Sequence, residues 1–161
     1  MKACVNLPVL VAALALSGCA DRAGIEVDKA TVESAGLSVS MEMPKSSFVV
    51  GESFALAVTA ENKTLRPIPV YPDSGAPVYV RVWRHTGITW RQVKRYPPTA
   101  VVVMKRWELS PGGRRRFTMK LTVEPDWPTG EPLKLTAELN GRDDAAPGVL
   151  ILVHRRSGGD E

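Results

Sequence analysis

The chain of 161 residues holds two cysteines, Cys4 and Cys19, and none beyond residue 19. The long remainder therefore has no disulfide, no cysteine-based zinc site and no thiol nucleophile. Histidine is as scarce: His85 and His154 are the only two, each beside an arginine. No H-x-x-x-H pair offers a metal two ligands on one helix face, and no G-x-S-x-G turn offers a serine nucleophile. No apolar run reaches the roughly 20 residues of a membrane-spanning helix, and no amphipathic helical pattern stands out. Acid is missing from the middle of the chain, where Arg81, Arg84, Arg91, Lys94, Arg95, Lys105, Arg106, Arg114, Arg115 and Arg116 share a segment with Glu108 alone. These absences argue against an enzyme, and neither a cofactor nor a metal is expected.

What the chain does have is short-period hydrophobic patterning punctuated by turns. Hydrophobic residues make up 44% and charged residues 24%, enough apolar material for a packed core. Thirteen prolines and thirteen glycines would break a helical bundle and favour frequent turns. Apolar residues alternate at Leu37, Val39, Met41 and Met43, at Phe54, Leu56 and Val58, and at Ile68 and Val70. The same spacing recurs at Val78, Val80 and Val82, at Phe117, Met119, Leu121 and Val123, and at Leu133, Leu135, Ala137 and Leu139. Alternation of this kind sends one strand face inward and the other outward. Residues 100–109 and 148–154 are more continuously apolar, as buried strands would be. With turn formers between them, these runs predict an all-β, Ig-like antiparallel sandwich of about eight or nine strands over residues 37–155, with a polar tail at 156–161.

The N-terminus reads differently. A basic residue, Lys2, precedes an apolar run that ends in small residues, the order of an export signal. Within it, Leu16-Ser17-Gly18-Cys19 resembles the lipobox of bacterial lipoprotein precursors. That resemblance implies a signal peptide over 1–18, removed on export, and a diacylglyceryl thioether on Cys19. Two or more acyl chains would then hold the protein on a bilayer. Residues 19–36 read as the lipidated cysteine and a polar, flexible tether. In double-membraned bacteria an aspartate directly after the cysteine retains lipoproteins at the inner membrane. Ala20 stands there, so the expected location is the outer membrane, facing the periplasm.

A second resemblance covers most of residues 51–121. Gly51-Glu52 leads an alternating run into an asparagine turn at Asn62, Ser74-Gly75 precedes a strand, Gly87 and Trp90-Arg91 mark a hairpin, and Leu109-Ser110-Pro111-Gly112 precedes a strand near Phe117. This order is similar to the BsuPI-like domain, the family of the Bacillus intracellular proteinase inhibitor, and implies an Ig-like sandwich. Gly113 stands where that family often has an acid. Inhibition is not implied residue by residue, although Tyr96-Pro97-Pro98-Thr99 is a stiff loop suited to an enzyme cleft.

Candidate interaction residues follow from parity. Tyr79, Arg81 and Trp83 alternate with Val78, Val80 and Val82 and so share the outer face of one strand. They form either an interaction surface or a patch covered by a loop or the tether. Arg114 and Arg116 alternate outward with Thr118 and Lys120, whereas Arg115 shares the parity of Phe117 and is expected in the preceding turn. The basic residues are either solvated edges or a face for an anionic partner. Trp90 is expected in core or hairpin packing; Trp107 and Trp127 are open. The expected whole is a monomeric, membrane-anchored envelope lipoprotein with a non-catalytic binding or structural domain, whose partner is an envelope protein or anionic polymer rather than nucleic acid. The alternative is a protease inhibitor.

Overall fold

The computed structural model describes residues 28–70, 76–98 and 106–156. The lipobox with Cys19, the signal 1–18, the first part of the expected tether, Ser74-Gly75, residues 99–105 with Thr99 and Lys105, and tail residues 157–161 lie outside the described residues.

The described residues form strands and turns without a helix. The strands are β1 (Asp28–Ser34), β2 (Leu37–Met43), β3 (Ser47–Val49), β4 (Ser53–Asn62), β5 (Ile68–Val70) and β6 (Val78–His85). They continue with β7 (Trp90–Tyr96), β8 (Trp107–Leu109), β9 (Arg114–Thr122), β10 (Pro132–Leu139) and β11 (Gly148–His154). One sheet has the order β1-β2-β4-β9 and the other β3-β11-β10-β6-β7, with a short β5-β8 ribbon beside them. The pairings are antiparallel except that β3 runs parallel to β11.

The period-two pattern accounts for the core. Leu37, Val39, Met41 and Met43 of β2 and Phe54, Leu56, Val58 and Ala60 of β4 are buried from the first sheet. Val78, Val80 and Val82 of β6, Leu133, Leu135, Ala137 and Leu139 of β10, and Ile151 and Val153 of β11 are buried from the second. Phe48 of β3 stacks on Phe54, ring centroids 4.2 Å apart, and joins the two layers. All these residues and all the described strands lie between Asp28 and His154, so the span 20–161 holds every described strand and the core they bury.

The structure departs from the sequence reading at three places. The second half of the expected tether is strand β1, paired with β2 from Asp28↔Met43 to Ser34↔Leu37. Its inward residues include only Ala30 and Val32 as apolar side chains, too few to show as alternation, and the strand holds its place through the ladder and a tight turn. That turn has positive φ at both Ala35 (47°) and Gly36 (77°), the geometry of a two-residue hairpin. Strand β3 is three residues long and falls between the alternating runs, where no strand was expected. Arg115 lies inside β9, opposite Ala60, rather than in the turn. Its inward parity is tolerated because β9 is the sheet edge: the guanidinium lies 4.7 Å from the Trp107 ring centroid instead of entering the core.

Candidate functional site

The five candidate surface residues fall on the two opposite outer faces of the sandwich. On the β6 face, Tyr79 is 3% exposed because the Arg95 guanidinium of the neighbouring strand lies 3.8 Å from its ring centroid. Of the two readings left open for it, Tyr79 is therefore covered, a buried platform for Arg95. Register places Tyr79 opposite Glu138, Arg81 opposite Thr136 and Trp83 opposite Lys134. Diagonal contacts follow: Arg81 Nη2 donates to both Glu138 carboxylate oxygens at 3.1 and 2.8 Å, and Trp83 Nε1 donates to Thr136 Oγ1 at 2.9 Å. Arg81 Nε is buried without a hydrogen-bond partner, and the side chain borders a depression of about 300 Å³ with Trp83, Trp90 and Lys134. Arg81 and Trp83 remain half-buried and reachable; Tyr79 does not.

Arg114 and Arg116 lie on the outer face of the first sheet and are exposed. Arg114 Nη2 is 2.8 Å from Glu61 Oε2, and Arg116 Nη1 is 3.3 Å from Glu42 Oε2. Lys29 bonds the other Glu42 oxygen at 3.1 Å and Lys63 the other Glu61 oxygen at 2.8 Å. Each carboxylate is clamped by two cations and held below its usual range, Glu42 chiefly by Lys29 and Glu61 chiefly by Lys63. Thr31, Ser38, Ser40 and Thr59 line a shallow trough of about 330 Å³ between these clusters.

Among the described residues, acids from outside the basic segment pair with Arg81, Arg84, Lys94, Arg114 and Arg116, and with none of Arg91, Arg95 and Arg115. Arg81 meets Glu138, Arg84 meets Glu131 at 2.7 Å, and Lys94 meets Glu124 and Asp126. Sequence separation hides these pairs, and the sheet register creates them.

A third cluster was not foreseen. Tyr96 at the end of β7 donates its hydroxyl to Glu124 Oε1 at 2.8 Å and accepts from Trp127 Nε1 at 3.0 Å. Trp127 is 2% exposed and belongs to the core, while Trp107 packs half-buried against Phe117 and Trp90 against His85 at the β6–β7 hairpin. Burial first, and the Glu124 carboxylate second, push the Tyr96 phenol up to about 12. Lys94 and Tyr96 together hold Glu124 below its usual range. Aromatic and proline residues around 96 and 127 were visible in the sequence, but nothing there joined them.

Elsewhere polar side chains serve turns and strand ends. Asn62, fully buried, donates from Nδ2 toward the carbonyls of Arg66, Leu109 and Ser110 and accepts the Thr64 amide on Oδ1 at 2.8 Å. Asp144 is gripped by Arg142 and Ser34, which hold its carboxyl well below the usual range. His85 and His154 end β6 and β11 and are exposed. No cluster of three or more His, Cys, Asp or Glu side chains occurs among the described residues.

At the end of the sandwich where β9 leaves toward β10 lies a depression of about 660 Å³, bounded by Arg84, Pro125, Trp127, Pro128, Glu131, Arg155 and Arg156 among others.

No family model matches the chain, and no curated protein matches it. Among solved structures it is similar to Spo0M, a sporulation control protein of Bacillus subtilis, at 12% identity and a TM-score of 0.55, over 76% of this chain and 51% of that one. It is also similar to part of a Listeria innocua β-glucosidase (14% identity, 73% of this chain and 16% of that one, TM-score 0.46). Part of the alkylpurine DNA glycosylase AlkC of Pseudomonas fluorescens matches at 13% identity, over 70% of this chain and 28% of that one, with a TM-score of 0.44. The chain spans about half the length of Spo0M and smaller shares of the others. At such identities the likeness to Spo0M concerns the β-rich fold alone.

Proposed function

We propose that the chain is a cell-envelope lipoprotein, anchored through a lipidated Cys19, whose β-sandwich serves as a non-catalytic binding or structural module. The observation that carries this reading is Leu16-Ser17-Gly18-Cys19, nine residues ahead of the first strand at Asp28. At no more than roughly 3.3–3.6 Å per residue, that connection keeps the sandwich within about 30 Å of its anchor. Ala20 after the cysteine favours the outer membrane, facing the periplasm. The half-buried Arg81 and Trp83, unlike Tyr79, suit contact with an envelope protein or anionic polymer by a monomeric domain. Metabolic labelling with a fatty acid tests the anchor. Label on the wild-type chain and none on Cys19→Ser is expected; equal label on both would remove the proposal.

The second reading is a protease inhibitor of the BsuPI-like type. Two motifs of that resemblance meet where Asn62 bonds the carbonyls of Leu109 and Ser110, which supports the family's architecture. The Tyr96 hydroxyl, held by Glu124 and Trp127, supports a fixed entry into Pro97-Pro98. A pull-down from envelope extract with the span 20–161 separates the readings: recovery of a protease that the span inhibits favours the second, and recovery of a non-proteolytic envelope component the first.

A further inference from the structure

We infer that Arg155 and Arg156, in the cleft they share with the Arg84–Glu131 pair, bind the phosphate of anionic phospholipid headgroups and seat the sandwich on the bilayer to which it is tethered. The inference rests on the proposed anchor for its orientation and on the cleft itself for its chemistry.

Strand register puts tether and cleft at one pole. Asp28 pairs with Met43 at the end of the first sheet where β4 begins at Ser53 and β9 ends at Thr122. From Thr122 the chain passes directly into the cleft wall at Pro125, Trp127 and Pro128. Three backbone bonds close the same pole: Gly51 N to Val123 O at 2.8 Å, Val50 N to His154 O at 3.0 Å and Gly130 N to Val153 O at 2.9 Å. Arg155 and Arg156 follow β11 there, and Arg84 reaches it from β6, opposite Leu133. Asp28, the described residue nearest Cys19 in sequence, therefore lies at the pole that carries the cleft.

The charges of the cleft do not cancel. Glu131 is taken by Arg84 at 2.7 Å, and Asp126 by Lys94. Among the described residues no carboxylate lies within ion-pair distance of Arg155 or Arg156. Arg155 spends its Nε on Thr129 Oγ1 at 3.3 Å, which orients the guanidinium with its two terminal nitrogens to spare. Arg81, Lys94, Arg114 and Arg116 of the central segment each face a carboxylate, which Arg155 and Arg156 do not. Two guanidinium forks beside a prolyl and indole wall suit a phosphate monoanion attached to an apolar body.

Sedimentation of the span 20–161 with vesicles is the test, because it works without the lipid anchor and its failure leaves the labelling result untouched. Binding is expected to mixed phosphatidylcholine and phosphatidylglycerol vesicles and not to phosphatidylcholine alone, and it should fall at high salt. A basic residue near an anionic surface contributes about five-fold in partitioning, so Arg155→Gln with Arg156→Gln should lose roughly 25-fold. Removing the same charge at the opposite pole, Lys63→Gln with Arg66→Gln, should lose far less. The far-ultraviolet spectrum of each variant confirms its fold. Equal loss from both pairs, equal binding to both vesicle types, or binding of inorganic phosphate without preference for anionic vesicles would overturn the inference.

Discussion

The side-chain nitrogen of Asn62 lies 2.9 Å from the carbonyl oxygen of Leu109, 47 residues further on. Asn62 also takes part in the backbone ladder, donating to Gly113 O at 2.9 Å and accepting from Gly112 N at 3.1 Å. One asparagine thus ties the end of β4, the turn after it and the turn into β9. A buried carbonyl stripped of its donor costs about 1–3 kcal/mol. Asn62→Ala should therefore destabilise the domain by at least about 2 kcal/mol in urea unfolding. Asn62→Asp should cost more, since it aims an anion at carbonyl oxygens. An alanine variant as stable as the wild type would show these contacts to be incidental.

Tyr96 gives a pH prediction. Its phenol stands at 10.0 in the unfolded chain and about 12 in the fold, so the fold favours the neutral form. The associated stability is complete below pH 10 and lost as pH rises toward 12. Alkaline unfolding curves should show this slope in the wild type and lack it in Tyr96→Phe. At neutral pH that variant should lose about 1–3 kcal/mol by leaving Trp127 Nε1 and Glu124 short of a partner.

The core should respond unevenly. Phe54→Ala, Leu56→Ala and Leu121→Ala remove buried side chains and should each cost about 2–5 kcal/mol. Phe117 faces the same way but is only partly buried at the sheet edge, so Phe117→Ala should cost less than any of them. Denaturant midpoints at constant slope measure the series, and a Phe117 variant as damaged as Leu56→Ala would contradict the edge assignment.

The outer faces should be forgiving. Arg114→Gln and Arg116→Gln break exposed ion pairs and should each shift stability by no more than about 0.2–1 kcal/mol, less at high salt. Arg115→Ala uncovers the Trp107 ring and should cost about 0.5–1 kcal/mol that salt does not remove. Thermal unfolding at low and high salt separates the two kinds of arginine.

Ala35 offers a gain. It holds φ 47° in the β1–β2 turn, a conformation that costs an alanine roughly 1–2 kcal/mol. Ala35→Asn should raise stability by about 1 kcal/mol, read as a higher midpoint. Ala substituted for Gly36 should do the reverse, because its Cβ would stand 2.1 Å from Thr64 Cγ2.

The inward faces of β2, β4, β6 and β10 were legible residue by residue, because alternation along a strand is local and burial rewards only one parity. The lipobox is likewise a linear signal, and the scarcity of cysteine and histidine needs no structure to read. β1 was not legible: an edge strand with two small apolar side chains is held by its neighbour's hydrogen bonds. Nor was the fate of Tyr79, whose parity faces outward but whose ring is sealed by an arginine from the next strand. Half of the basic segment looks unpaired along the chain because its acids are distant in sequence. Ion pairs depend on separation in space, and strand register set that distance for Arg81 and Glu138, for Arg114 and Glu61, and for Arg116 and Glu42. Tertiary structure alone decided which arginines were neutralised and gathered Arg84, Arg155 and Arg156 into one cleft.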